Sequence, residues 1–303
     1  MSLAARRRPG LRGVGSGADP APPPVAGAAE PVRRALWAHR GARVGLFIGA
    51  GLLLVAVVGP ALTADPDRPD YSSQLLGPST THLLGTDEAG RDLLARTVAA
   101  ASASLGAALL VFTISTVVGL VAGVVAGSAG GLVYTVLARV TDTLLGLPGL
   151  VLTLAVVGVV GPGFMNLVLA MTVTGWAGLA RLARAVAAGA HADPHVIAAR
   201  MAGASRLRVA LDHVVPAAAT QVVIAATLGL GDTVLALSGL SFLGLGAQPP
   251  TAEWGNMLSS ARETLVVAPH QIIGPSAGIV LTVLSATLIS EALRDVTDPG
   301  SRR

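Results

Sequence analysis

The sequence predicts an all-α membrane protein, and three features of its composition indicate this. First, 52% of the 303 residues are hydrophobic, and the mean hydropathy of +0.68 is well above that of a soluble domain. Second, the apolar residues fall into runs of roughly the 20 residues that a helix needs to cross a bilayer. Third, the charged residues make up only 13% and cluster between those runs. We therefore expect a polytopic protein with six transmembrane helices.

The predicted elements follow in chain order. Residues 1–35 are rich in Arg, Gly, Ala and Pro and show no apolar period, so we expect a disordered tail. Residues 36–98 contain the first span and an outer segment, and residues 99–299 form a helical core with a polar loop at 190–215. Pro148 should break or kink the third span. The six predicted spans cover residues 44–63, 101–126, 136–160, 164–183, 217–239 and 272–292.

The distribution of arginine predicts the orientation of the chain. All 21 basic residues are Arg, and seventeen of them fall in segments that are cytoplasmic if the N-terminus lies inside, against four in outer segments. Because cytoplasmic loops carry the excess of basic residues, both termini are predicted to be cytoplasmic. Membrane topology thus accounts for the positions of the basic residues and for the net charge of +4. We therefore predict no nucleic-acid partner.

The residue types that are missing exclude several kinds of chemistry. Without lysine, the chain can form neither a Walker-type phosphate-binding loop nor a Schiff base, so any ATP that drives it must bind to another subunit. Without cysteine, it has no disulfide, thiol nucleophile or thiolate metal site. We predict no catalytic residue and no cofactor. A membrane scaffold and an intramembrane hydrolase are the alternatives from other functional classes.

A polar stretch between the fourth and fifth spans stands out from its apolar surroundings. Asp193 and Pro194 are suited to begin a helix, Gly203 is suited to end it, and Pro216 opens the next apolar run. A short loop needs no ordered helix merely to connect two spans. We therefore expect this helix, at about residues 195–204, to bind another protein.

Four ordered blocks, within about residues 40–299, carry a family resemblance. They are His82–Asp92 (HLLGTDEAGRD), the polar stretch from Ala198 to Pro216, Leu240–Pro250 (LSFLGLGAQPP) with Trp254 and Gly255, and Leu293–Pro299 (LRDVTDP). Together they resemble the permease subunits of the dipeptide/oligopeptide/nickel ABC importers. The resemblance implies a type I ABC importer permease fold, with a cytoplasmic coupling helix, in the cell (inner) membrane. The implied substrate is a di- or oligopeptide, or alternatively nickel or another small solute.

The same resemblance implies partners and site residues. The partners are a second permease subunit, two ABC ATPase subunits, an extracytoplasmic solute-binding protein and the lipid bilayer. Coupling to the ATPase is assigned to Val196, Ile197, Ala198, Ala199, Arg200 and Gly203. The gate and outer loop are assigned to Leu240, Ser241, Phe242, Gly244 and Gly246, and an outer docking segment to Asp87, Arg91 and Asp92. Ile197 and Leu237 depart from the family pattern, which usually has an acid at both places.

Helical spacing predicts the face by which the coupling helix meets the ATPase. Val196, Ala199 and Gly203 should share one face with room for close approach, and Ile197 and Met201 should form an adjacent apolar ridge. With the usual acid absent, we expect Ile197 to contribute apolar packing instead of an ion pair. The alternative is that Ile197 lies in the lipid interface.

Other features leave alternatives open. Asp232, within the fifth span, either faces the substrate path or pairs with a neighbouring helix, and we favour pairing. Arg139 and Asp142 have the spacing of a local salt bridge. Glycines recur four residues apart in the second span, at Gly119, Gly123 and Gly127. Such spacing permits close helix contact, either within the subunit or with a partner permease.

The acids of the outer segment also have two interpretations. His82, Asp87, Glu88 and Asp92 have the residue types of a metal-binding set. The nearby Arg91 and Arg96 would repel a cation, so we favour a docking and gating surface.

Overall fold

The computed structural model describes residues 37–297, and in this range the protein consists of α-helices joined by loops. The predicted tail, residues 1–35, lies outside the described residues, as do residues 298 and 299 of the predicted core. The helices are α1 Arg40–Leu62, α2 Leu93–Ala129, α3 Gly131–Leu145, α4 Gly149–Val160, α5 Phe164–Ala190, α6 Pro194–Met201, α7 Arg206–Val209, α8 Val215–Phe242, α9 Trp254–Thr264 and α10 Ile273–Thr297. No strand occurs within residues 37–297, so the all-α prediction is confirmed.

Five helical runs are long and apolar enough to cross a membrane. They are Arg40–Leu62, Leu93–Ala129, Phe164–Ala190, Arg206–Phe242 and Pro269–Val296. The third predicted span, 136–160, is not one straight helix, because α3 and α4 meet at 89°. Pro148 occupies the cap position of α4 in an extended conformation and so breaks the run as predicted. The count reaches six only if this bent pair forms one span.

The fifth span begins earlier than predicted, and Pro216 lies within its helical run instead of opening it. Instead of beginning near residue 217, the helical run starts at Arg206 and passes through a π-helical segment, Ala210–Val214, into α8. Proline has no N–H, and its ring clashes with the carbonyl four residues earlier, here that of Asp212. A widened π turn at this point relieves the clash while the helix continues.

The long helix α2 is the centre of the bundle, and three buried clusters follow one another along it. The first packs the N-terminal part of α2 against α8, α9 and α10, around Trp254. The second joins the middle of α2 to α4, α5 and α8, around Leu167. The third joins the C-terminal part of α2 to α5, α6 and the start of α8, around Val196. The coupling-loop helix is therefore part of the same packed core as the spans.

Glycines allow α2 and α5 to approach closely. A methyl group added at Gly119 would lie 3.0 Å from the carbonyl oxygen of Trp176, and one added at Gly127 would lie 2.8 Å from that of Arg184. On α5 the facing positions are small and fully buried: Ala177, Ala180, Ala183 and Ala187. The glycine spacing thus serves packing within the subunit.

Candidate functional site

The predicted coupling helix is present as α6, Pro194–Met201, between α5 and the run that leads into α8. The backbone carbonyl of Asp193 accepts hydrogen bonds from the N–H groups of Val196 and Ile197, both at 3.0 Å, although its side chain makes no capping bond. Gly203 has φ +89°, a left-handed conformation that favours glycine and ends the helix as predicted.

The exposed face of α6 includes the ridge that we predicted but not Val196. Val196 is fully buried against α2, α5 and α8, because α6 is packed onto the bundle by this side, and it cannot meet an ATPase in this conformation. The outward face instead carries Ile197 and Met201, which are 45% and 84% exposed. Ala198, Arg200 and Gly203 are exposed as well, and Ala199 is half-buried.

Two exposed leucines that our sequence reasoning missed lie on the next helical run. Leu207 and Leu211 are 69% and 56% exposed, and they lie four residues apart on the helical run that follows α6. Their spacing was the available sequence signal. With Ile197 and Met201 they make up what we call the apolar coupling patch. On the same run, His213 places its ring 5.5 Å from that of His195 in an edge-to-face contact that links α6 to the π segment.

The predicted gate block forms a turn at the end of α8. Leu240 and Ser241 are buried, and Gly244 has φ +81°. The N–H of Gly244 donates to the carbonyl of Ser241 at 2.9 Å, and Gly246 lies so close to the Ser241 side chain that a Cβ would overlap it. Phe242 stacks under the guanidinium of Arg262 in α9, 5.9 Å from the ring centre. The block therefore joins α8 to α9.

A buried acid that we did not predict fixes α9 against α2. Glu253 is completely buried, and its carboxylate accepts hydrogen bonds from the N–H groups of Gly255 and Asn256 and from the hydroxyl of Ser104, at 2.9–3.0 Å. The indole N–H of Trp254 donates to the carbonyl of Thr97 at 3.2 Å. The signal was an acid placed directly before Trp-Gly-Asn, where it can cap a helix.

Two acids of the outer segment, Asp87 and Asp92, are paired within the chain. Asp87 is 6% exposed and accepts hydrogen bonds from the Arg91 side chain at 2.7 Å and the Arg91 N–H at 2.9 Å, while the Arg96 side chain lies 3.4 Å away. Asp92 caps α2 by accepting from the N–H of Ala95 and contacts the ring of His82 at 2.9 Å. These contacts stabilise the fold of the segment and leave Asp87 and Arg91 little surface for docking. Residues 37–297 contain no group of three or more side chains that could hold a metal ion.

Asp142 pairs differently from the local salt bridge that we predicted. Its carboxylate lies 3.7 Å from the guanidinium of Arg181 and 3.9 Å from that of Arg184, both on α5. Arg184 also stacks on the ring of Tyr134. The spacing with Arg139 was suitable, but the bend after α3 brings α5 within reach of Asp142 instead.

Asp232 lies in the wall of an open cavity of about 430 Å³ lined by α2, α4, α5 and α8. Its side chain is exposed and makes no hydrogen bond or ion pair with any residue in the range 37–297. The pairing within the chain that we favoured is therefore not found. Leu237, five residues on, is buried in the core on another side of α8.

Comparison with known proteins places the chain among transport proteins. The sequence profile described as "Binding-protein-dependent transport system inner membrane component" matches residues 119–303. The nickel transport system permease protein NikC of Escherichia coli (strain K12) is 38% identical over 258 residues, covering 85% of this chain and 93% of that protein. The glutathione transport system permease protein GsiD of Escherichia coli O6:K15:H31 (strain 536 / UPEC) is 39% identical over 230 residues, 76% of each chain. That of Shigella dysenteriae serotype 1 (strain Sd197) is 40% identical over 230 residues, again 76% of each chain.

These matches agree with the apolar helices and the all-α fold, and they confirm the family resemblance of the four sequence blocks. The chain belongs to the binding-protein-dependent transport system inner membrane component family, as a multi-pass permease subunit of an ABC importer.

Proposed function

We propose that this permease imports di- or oligopeptides, forming the translocation path with a second, different permease. Two separate ATPase subunits bind on the cytoplasmic side, and an extracytoplasmic solute-binding protein delivers the substrate. The proposal is supported by relatives that carry glutathione, a peptide-like solute, and by the lack of lysine for a nucleotide site. Nickel is the second candidate, because the NikC relative is named for it.

The observation that carries the mechanism is the apolar coupling patch: Ile197, Met201, Leu207 and Leu211. Unless a partner or the lipid interface covers them, these large apolar side chains face water, at a cost of about 1.5–3 kcal/mol for each. Part of the patch lies on α6, which is packed on α5 and leads into α8. When an ATPase bound to this patch moves, the movement is transmitted through α6 to the spans. The spans then alternate between inward- and outward-facing states.

The orientation belongs to the same proposal. Both termini and α6 lie in the cytoplasm, and the segment that precedes α2 lies outside with α9. The arginine asymmetry supports this arrangement. The chain itself performs no catalysis, so the purified subunit should hydrolyse no ATP until its ATPase partners are added.

Two substitutions test the coupling role. Ile197→Asp should weaken binding of the ATPase by at least about tenfold, because burial of this side chain is replaced by a charge. Gly203→Leu should lower substrate-stimulated ATP hydrolysis, since its side chain adds bulk beside the patch and its backbone disfavours φ +89°. Both are measured by ATPase co-purification and by hydrolysis in the reconstituted complex.

Controls separate coupling from general damage. Gly203→Ala carries the same backbone strain without the bulk, and Leu83→Asp makes the same apolar-to-acid change at a residue of the outer segment that is 63% exposed. Normal ATPase binding and hydrolysis in both Ile197→Asp and Gly203→Leu, at normal membrane levels, would show that α6 is not the coupling element.

A further inference from the structure

The cavity beside Asp232 has an unusual charge for a site within a membrane bundle. Twenty residues line it, and Asp232 is the only one with an ionisable side chain. Asp232 is also the only ionisable residue of α8, Val215–Phe242. An unpaired acid among apolar helices is costly, and such residues mark substrate or ion pathways. The cavity thus presents a negative group with no positive group to balance it.

One face of α8 makes room next to this acid. The residues of α8 that line the cavity recur every three or four positions, and most of them are small: Ala225, Ala226, Gly229, Asp232, Thr233, Ala236 and Leu240. At Gly229, one turn before Asp232, nothing lies within 4 Å of an added Cβ. The carboxylate therefore borders open volume instead of packed side chains.

The opposite walls supply hydrogen-bond acceptors. Ser115 and Thr116 on α2 have buried hydroxyls that have no hydrogen-bond partner in the part of the chain that the structure describes. Thr153 on α4 and Thr174 on α5 hold their hydroxyls 3.2 Å apart at the same cavity. Buried hydroxyls normally find partners, and these two have none; because their oxygens are buried in this conformation, they would meet a bound molecule after a change of rotamer.

We infer that this cavity recognises the ammonium group of an amine-bearing solute, with Asp232 as its counter-charge. The inference rests on the proposed function and adds the chemical group by which the path selects its substrate. An ammonium has three donors, which suit a cavity lined by one carboxylate and several hydroxyls. The apolar remainder of the lining fits an uncharged solute body, and the volume falls in the usual range for small-ligand sites.

The same lining argues against a bare nickel ion and against an anionic solute without an ammonium group. Nickel prefers imidazole or several charged ligands, and the cavity offers one carboxylate, hydroxyls and the thioether of Met171. An anionic solute that carries no ammonium group would meet Asp232 without a compensating basic residue from this subunit.

The test uses the absence of cysteine from the chain. Gly229→Cys introduces a single thiol beside Asp232, and Gly77→Cys introduces one in the outer segment, where an added Cβ also has nothing within 4 Å. Each is combined with Asp232 intact and with Asp232→Asn, in the complete importer in proteoliposomes with its binding protein. Modification of this chain is followed with a cationic and an anionic methanethiosulfonate of similar size.

At Gly229→Cys, the ratio of cationic to anionic modification rates should fall by at least about tenfold when Asp232 is changed to Asn, because a unit charge lies one helical turn away. At Gly77→Cys the ratio should not change. An unchanged ratio at Gly229→Cys would overturn the inference, since it would mean that Asp232 is neutralised, for example by the second permease. Complete protection from both reagents in every nucleotide state would also overturn it, because a solute path must be wet.

The solute class is tested on the same vesicles. Dialanine should slow the cationic modification of Gly229→Cys when Asp232 is intact, and N-acetyl-dialanine, which lacks the ammonium, should not. Equal protection by both compounds, or none by dialanine, would overturn the assignment of an amine. ATP-driven uptake is measured in parallel. If the importer with the original sequence takes up no peptide, the proposed function fails, whereas uptake with a ratio insensitive to Asp232 refutes only this inference.

Discussion

The contact between α2 and α5 can be tested with a single methyl group. At Gly123, an added Cβ would lie 2.5 Å from the carbonyl oxygen of Ala180 and 2.9 Å from the amide nitrogen of Arg184, and it would overlap the methyl group of Ala183. Backbone atoms cannot turn aside as a flexible side chain can. Gly123→Ala therefore forces the two helices apart.

The expected magnitude follows from two opposing effects. Replacing Gly by Ala within a helix stabilises it by about 0.5–1 kcal/mol, because the unfolded chain loses flexibility. Overpacking a tight contact costs about 1–3 kcal/mol. Gly123→Ala should therefore be destabilising by up to about 2.5 kcal/mol, which lowers Tm by a few degrees. Gly106→Ala, in the same helix but with nothing within 4 Å of the new methyl, should raise Tm slightly.

The assay is thermal unfolding of the detergent-purified protein, followed through the fluorescence of its three tryptophans. The pair of variants shares the chemistry of the change and the helix, so only the local packing differs. If Gly123→Ala raises Tm as much as Gly106→Ala does, α2 and α5 do not pack through this glycine.

Two further predictions concern the orientation and the buried acid. Reporter fusions at residues 75 and 255 should indicate the outer face and one at residue 205 the cytoplasm; a cytoplasmic result at 255 would contradict the proposed topology. Glu253→Ala should lower Tm by several degrees, because each of the three buried donors that it leaves unsatisfied costs about 1–3 kcal/mol of stability. The control Glu88→Ala, at an exposed position, should change Tm little. Similar Tm values for these two variants would show that the buried carboxylate is not needed for stability.

Local sequence features predicted the spans well, because a run of apolar residues specifies a membrane helix wherever it occurs. The break at Pro148 was also local and was predicted. The size of the bend was not, since the 89° angle between α3 and α4 is set by what each helix packs against. For the same reason we predicted the wrong partner for Asp142. Spacing along one helix identifies Arg139 as a neighbour but cannot show that Arg181 and Arg184 approach from α5.

The face of α6 shows a second limit of sequence reasoning. Periodicity correctly placed Val196 on a different side from Met201, but it does not tell which side meets the bundle. The structure buries Val196, which we had placed on the contact face, and exposes the ridge of Ile197 and Met201 that we had placed beside it. Glu253 was missed because a single acid in a loop is usually a solvated residue, and only its position relative to Ser104, far away in the sequence, reveals the buried cap.

The glycine and alanine contact between α2 and α5 has a mechanical consequence. Side chains between two helices can change rotamer and so absorb small movements of one helix against the other. At Gly119, Gly123 and Gly127 the two backbones are in close contact, and almost no movement can be absorbed in this way. The two helices should therefore move as one rigid body, which is about 55 Å long if the 37 residues of α2 are ideal helix. The C-terminal end of α2 adjoins α6, and its N-terminal end is fixed by Asp92 to the outer segment. A push on the coupling loop should reach the opposite end of the bundle with little loss of displacement.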